Sequence, residues 1–246
     1  PLQDFTTGGA LAITDNAKNI VIGGYDVGSG PIPSGAIVSL YSTNPESSSL
    51  FPWRTSCIIK PIGENKVNLG QQMSMTPDGL TLVASEVISP SIFRTNYASN
   101  LNIYTGNGSG MWGLHQVFSG QSGSFINNLN IARDGSTIIA GIIGDNTAGE
   151  DAGAAYIYKK NYYNDWDLFQ IVTGIDGVSG RYGISVASNN DGSLVAMSSE
   201  WANNRSGSAL FYKTSSDPMR FYRDDNFYGS RPTVNNISVA LTEDIN

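Results

Sequence analysis

The sequence predicts an all-β protein, a β-propeller of four-stranded antiparallel blades, and three observations carry that expectation. Asp-Gly pairs at 78–79, 134–135 and 191–192 each join two short apolar runs and fall 56 and 57 residues apart. Asp-Gly between apolar runs is a strong hairpin signal, because glycine supplies the positive φ such turns require. A third run follows in every unit, at 34–41, 99–104, 152–158 and 206–212, and all four finish on tyrosine. No stretch shows the 3.6-residue apolar period of a helix.

The elements follow in order. The opening unit has apolar runs at 11–13 and 20–23 around 14–19, where the Asp-Gly is lost. The second unit pairs residues 69–75 with 80–85, the third 124–131 with 136–141, and the fourth 182–188 with 193–197. A polar Gly/Ser/Asn-rich loop precedes each third run. A fourth run reads Trp112-Gly-Leu114-His115-Gln116 in one unit and Trp166-Asp-Leu168-Phe-Gln170 in the next, with residues 53–59 as a divergent counterpart. Trp, Leu and Gln at alternate places predict one face of a half-buried strand. Residues 234–240 mirror 126–132, so a fifth unit begins near the C-terminus. With Ile13, Met75, Ile131, Val186 and Val239 as equivalent positions, the expected blades run approximately 5–63, 64–120, 121–174 and 175–228, with a partial one at 229–246. A chain that stops inside a repeat is expected to belong to a longer protein and a larger ring. Repeats of this kind bury their apolar faces only by stacking on one another.

The order of these elements (Trp-x-Leu-x-Gln, then Tyr182-Gly-Ile-Ser-Val-Ala, Asp191-Gly192, Leu194-Val-Ala, and 207–212) resembles the FG-GAP repeat, the blade of the integrin α-subunit propeller. The resemblance covers nearly the whole chain. It implies adhesion, ligand recognition or a structural role, through loops at the ends of the ring. Several blades of that family carry a calcium loop, Asp-x-Asp-x-Asp-Gly, whose spaced oxygens suit a hard cation. The matching turns here, 76–79, 132–135 and 189–192, each hold one carboxylate, so calcium is not carried over. Asp78, Asp134 and Asp191 read as turn formers.

Composition removes several classes of chemistry. The chain has 246 residues, 14 Lys plus Arg against 21 Asp plus Glu, and a net charge of −7, which argues against nucleic acid as a partner. One cysteine, Cys57, and one histidine, His115, leave no internal disulfide and no structural zinc site. No apolar run approaches the ~20 residues that span a bilayer, so membrane insertion is not expected. A Ser-His-Asp triad would have to recruit His115, which lies within a strand. A glycosidase would need two carboxylates facing one pocket, and no such pair can be assembled from spacing. The expected function is therefore a non-enzymatic propeller acting as an adhesion, recognition or structural module. Its partner is expected to be a protein, a glycan or neighbouring subunits of an assembly. The alternative is a propeller glycosidase or hydrolase using loop carboxylates.

The longest inserts, at 25–33, 86–97 and 144–151, all follow the second strand of a unit and crowd one end, where function concentrates. The binding candidates there are Tyr25, Ile92, Phe93, Arg94, Tyr97 and Trp201, residue types that anchor interfaces. Two acidic loops supply weak divalent-ion candidates, Asp145, Glu150 and Asp151 in one, Asp224 and Asp225 in the other. No cofactor is expected. Tyr162 and Tyr163 read as a turn before a core Trp166. Asn-x-Ser sequons at Asn107, Asn204 and Asn236, with an acidic, lysine-poor, Asn/Ser/Gly-rich composition, suit an extracellular or virion setting.

Overall fold

Every hairpin that opens a repeat is closed by the same local device. In the computed structural model, which describes residues 6–25, 35–42, 53–61, 66–88, 98–174, 179–214, 220–228 and 238–241, the Gly79 N–H donates to the Thr76 carbonyl at 2.9 Å. The Thr76 N–H donates to the Thr81 carbonyl at 2.9 Å. The loop is thus four residues on a type I turn, followed by glycine at φ +70°. Asp78 Oδ1 accepts the Leu80 N–H at 2.9 Å, an Asx turn that holds the loop from inside. Asp134 receives Ser136 N–H at 2.8 Å and Asp191 receives Ser193 N–H at 2.9 Å in the same way. The first unit, which lacks Asp-Gly, keeps the device with Asn16 in the aspartate's place, accepting from Lys18 N–H at 3.0 Å. Ala17 there takes the glycine's left-handed conformation at φ 50°.

Four sheets result, each a meander of four antiparallel strands in chain order. The first holds β1 (Thr6–Ile13), β2 (Asn19–Tyr25), β3 (Ile37–Tyr41) and β4 (Arg54–Ile59). The second holds β5 (Lys66–Met75), β6 (Thr81–Ile88), β7 (Ala98–Gly106) and β8 (Trp112–Phe118). The third holds β9 (Phe125–Ile131), β10 (Thr137–Ile143), β11 (Ala154–Lys160) and β12 (Trp166–Thr173). The fourth holds β13 (Ser185–Ser188), β14 (Leu194–Ser199), β15 (Ser208–Thr214) and β16 (Phe221–Tyr228), with one helical turn, α1 (Ala202–Arg205), between β14 and β15. These are the blades of a β-propeller.

Register corrects three sequence expectations. Leu114 and Leu168 are 42% and 46% exposed, and Gln116 and Gln170 do not share the face that these leucines share with Trp112 and Trp166. The cause is a bulge in the fourth strand of every blade, which reverses the alternation beyond it. Pairing jumps from Ile103↔Gln116 to Tyr104↔Leu114, leaving His115 unmatched, and Phe169 is the equivalent extra residue in β12. Ser56 and Asp224 fill that place in β4 and β16. Second, Tyr41 is not the partner of Tyr104, Tyr158 and Tyr212: counted from the hairpin, Leu40 pairs Ile20 as Tyr104 pairs Leu82. Tyr41 sits one residue later and faces the opposite side. Third, Ser188 and not Val186 is equivalent to Ile131, because both directly precede the residue that closes the turn.

The chain forms two compact units, residues 1–122 and 123–246, each with two blades. In the first, Val21 and Ile37 pack with Leu69, Met73, Leu82, Ala84 and Tyr104 of the following blade. In the second, Ile139, Ile157 and Val172 pack with Val186, Val195, Met197, Leu210 and Phe221. Each such aliphatic side chain contributes roughly 1.5–3 kcal/mol when removed from water. The blades of a pair also touch backbone to backbone where two glycines face each other. Gly23 on β2 lies against Gly70, and Gly141 on β10 lies against Gly183, so a Cβ at Gly141 would stand 2.9 Å from the Gly183 carbonyl carbon.

Side-chain to backbone bonds fix the stagger between paired blades. Asn128 Oδ1 accepts from Val186 N–H at 3.0 Å, and Gln170 exchanges two bonds with the Phe221 backbone, at 2.9 and 2.7 Å. Ser185 Oγ, in the place of Asn128, accepts from Val239 N–H at 3.2 Å. Residues 238–241 thus lie on the fourth blade as that blade lies on the third.

Candidate binding site at one end of the second unit

In a four-stranded meander, the loop after the second strand and the connection into the next blade fall at the same end. In the second unit this end gathers three segments: 144–153 between β10 and β11, 179–184 leading into β13, and 200–207 between β14 and β15. Backbone bonds hold the first two together. Ser179 N–H donates to the Glu150 carbonyl at 2.7 Å, Arg181 N–H to Asp151 at 3.0 Å and Tyr182 N–H to Ala152 at 2.9 Å. The third segment is fastened by the buried Ser199. Its Oγ accepts from the Trp201 and Ala202 N–H groups, both at 3.0 Å, and donates to the Gly180 carbonyl. One hydroxyl therefore shapes the turn into α1 and ties it to the entry segment.

Held this way, the loops present a stack of three side chains. The Arg181 guanidinium lies 4.3 Å from the centre of the Trp201 ring and that of Arg205 4.5 Å from it. Each contact is worth roughly 0.5–1 kcal/mol at an exposed place. Glu200 Oε1 accepts the indole N–H at 3.0 Å, which fixes the ring in its plane. Arg205 is exposed and Arg181, Glu200 and Trp201 are partly so. The backbone here is strained. Asp151, Ser179, Arg181, Asn203 and Arg205 have φ of 53°, 61°, 47°, 52° and 64°, five of the eight left-handed non-glycine residues among those described. Such conformations cost of order 1–2 kcal/mol each and persist only where surrounding structure over-determines them.

The sequence candidates distribute unevenly. Trp201 lies at this end, at the loop after the second strand of its blade. Asp145, Glu150 and Asp151 lie in the adjoining loop, but Asp145 is no open ligand. It is buried, its Oδ2 accepts the Tyr156 hydroxyl at 2.8 Å and its Oδ1 the Thr147 N–H at 2.9 Å. Burial and that bonded carboxylate push the Tyr156 phenol up to about 12. Glu150 is exposed and Asp151 partly so. Asp224 and Asp225 do not form a loop. They lie exposed in β16, Asp224 as its bulge residue, where acidic side chains discourage pairing of an outer strand with another chain. Among the described residues, no group of three or more His, Cys, Asp or Glu side chains is placed to hold a metal ion. Tyr25 ends β2, and its side chain lies outside what the structure describes, as do Ile92, Phe93, Arg94 and Tyr97 altogether.

Sequence reasoning did not bring Arg181 and Arg205 together. Twenty-four residues separate them, and no local pattern announces that both reach one indole.

No family model matches the chain, and no curated protein matches it. Among solved structures, the fold is similar to a Lactobacillus plantarum protein at 8% identity and a TM-score of 0.55, over 92% of this chain and 56% of that one. It is also similar to prolyl oligopeptidase B from Galerina marginata at 10% identity and a TM-score of 0.52, over 89% of this chain and 28% of that one. The chain thus spans little more than half of the first protein and under a third of the second; at these identities the likeness concerns the fold alone.

Proposed function

We propose that the protein is a non-enzymatic recognition module, an extracellular or surface-exposed propeller that meets its partner through the loops after the second strands, as the FG-GAP resemblance implies. The observation that carries this reading is the loop end of the second unit. Three sequence-distant segments are locked together there by Ser199 and a run of backbone bonds, and the result is a partly exposed tryptophan flanked by two guanidiniums. Rigid presentation of Trp and Arg on braced loops lowers the entropy lost on binding, and these residue types dominate interface energetics. Asp145, one of the loop carboxylates the hydrolase alternative would use, is engaged in bracing its own loop, which favours recognition over that alternative.

The test is a binding screen of the intact protein, with arrayed glycans and with cell-surface extracts, repeated with Trp201→Ala. Capture that depends on Trp201 is expected. Turnover of a glycoside or ester panel that falls on substitution of Glu150 or Asp151 would overturn the reading in favour of the hydrolase.

A further inference from the structure

The geometry points to a ligand class for the Arg181–Trp201–Arg205 stack: the carboxylate of an acidic sugar, such as a uronic or sialic acid residue. This rests on the reading above of the loop end as a recognition surface. A guanidinium stacked on an indole keeps its in-plane N–H donors directed away from the ring, ready to grip a planar carboxylate in two parallel bonds. Neither Arg181 nor Arg205 makes an ion pair with a carboxylate among the described residues, and both are reachable from solvent. Since each lies within 4.5 Å of one ring centre, the two guanidiniums stand about 9 Å apart at most, close enough to address one monosaccharide.

In a chain of net charge −7, two arginines converging on one indole with no carboxylate partner among the described residues call for an explanation beyond packing. The acidic groups on the same loops narrow the ligand further. Glu150 and Asp151 lie on the segment bonded to Ser179 and Arg181, and Glu200 adjoins Trp201. They disfavour a dianion such as phosphate and offer acceptors for hydroxyl donors. A polyhydroxylated monocarboxylate satisfies both halves of the site.

Calorimetric titration of the intact protein with glucuronic acid and N-acetylneuraminic acid tests the proposal, with glucose, glucuronic acid methyl ester and inorganic phosphate as comparisons. Binding of at least one acidic sugar is expected, with no binding of the ester or of glucose and none or weaker binding of phosphate. Arg181→Gln and Arg205→Gln should each weaken binding about tenfold, and the double variant should abolish it. Each substitution also removes a cation–π contact, so unfolding midpoints should fall by no more than about 4 °C per arginine. Arg205→Lys keeps the charge but not the fork, and should recover only part of the affinity. Failure of both acidic sugars to bind, phosphate binding more tightly than either, or unchanged affinity in the double variant would overturn the proposal. Capture of a neutral glycan or a protein that is lost in Trp201→Ala would sink the acidic-sugar assignment while leaving the recognition reading standing; loss of both would sink the two together.

Discussion

Replacing Gly141 with alanine should be among the most damaging single-methyl additions to this protein, although it adds one carbon to a strand. A Cβ at that position would stand 2.9 Å from the Gly183 carbonyl carbon and 3.0 Å from Val186 Cγ1, and nearer still to the Gly183 oxygen. Ordinary contact begins near 3.4 Å, so the third and fourth blades must part by at least about 0.5 Å. A gap of that size forfeits roughly a quarter or more of each dispersion well across the seam. The seam holds Ile139, Ile157, Val186, Val195, Met197 and Leu210. Gly183 cannot simply give way, because its own φ is +94° and its N–H is bonded to the Ser198 carbonyl at 3.0 Å. Overpacking of this kind costs about 1–3 kcal/mol, and the backbone-to-backbone clash places this case at the upper end. About 3 kcal/mol corresponds to a fall in the thermal midpoint of roughly 6–12 °C. Differential scanning calorimetry of Gly141→Ala beside Gly113→Ala supplies the measurement. Gly113 has nothing within 4 Å of its would-be Cβ, so its variant should stay within about 0.5 kcal/mol of the parent. Equal midpoints for the two variants would refute the glycine-contact account of blade stacking.

Other consequences are as direct. Ser199→Ala leaves the N–H groups of Trp201 and buried Ala202 without their acceptor, so urea unfolding should show a loss of about 1–3 kcal/mol, and near-ultraviolet circular dichroism should report a loosened Trp201. In the hairpins, Asp134→Ala should cost about 1 kcal/mol by chemical denaturation while Asp134→Asn stays within a few tenths, because Asn16 already performs that turn in the first blade; equal losses would remove the Asx bond from the explanation. Burial pushes the phenols of Tyr104 and Tyr212 up to about 12, burial and Asp145 push Tyr156 to about the same value, and burial raises Tyr158 as well. Unfolded tyrosines release their proton near pH 10, so between about pH 10 and 12 the folded state binds more protons than the unfolded one. Stability should therefore be unaffected by these groups below about pH 10 and fall as pH rises through that window. In spectrophotometric titration these phenols should lag until the protein unfolds; a single ordinary titration of all tyrosines in the folded state would contradict it.

Much of the fold was legible because its repeat is local. An Asp-Gly loop and its flanking strands occupy about eighteen consecutive residues, and the Asx bond, the left-handed glycine and the closing pair are all made inside that span. The sequence alone could therefore place the hairpins, put Trp166 in the core and Tyr162 and Tyr163 in the turn before it. It erred where a single extra residue matters. The bulges at Ser56, His115, Phe169 and Asp224 leave no mark in composition, yet each exchanges the faces of everything beyond it, and this is why Gln116 and Gln170 face away from the Trp and Leu of their own strands.

The acidic candidates divide on the same principle. From sequence, Asp145, Glu150 and Asp151 look alike, and only the position of Tyr156 across the pair β10–β11 makes the first a buried brace. Asp224 and Asp225 look like a loop because strand propensity is weak in acidic residues, and pairing with β15 overrides it.

The repeating unit is readable from residue order: its length, its strand order, its turns and its wealth of apolar middle strands are all set by contacts between residues near in the chain. Which unlike positions meet is settled only when the blades pack. Gly141 against Gly183, Asn128 under Val186, and Arg181 with Arg205 on Trp201 each join residues between 4 and 58 positions apart. A period can predict that blades stack, because apolar faces must be covered. It does not encode the ångström-scale stagger of that stacking, which is set by side-chain volume and backbone hydrogen bonds and alone brings two arginines to one ring.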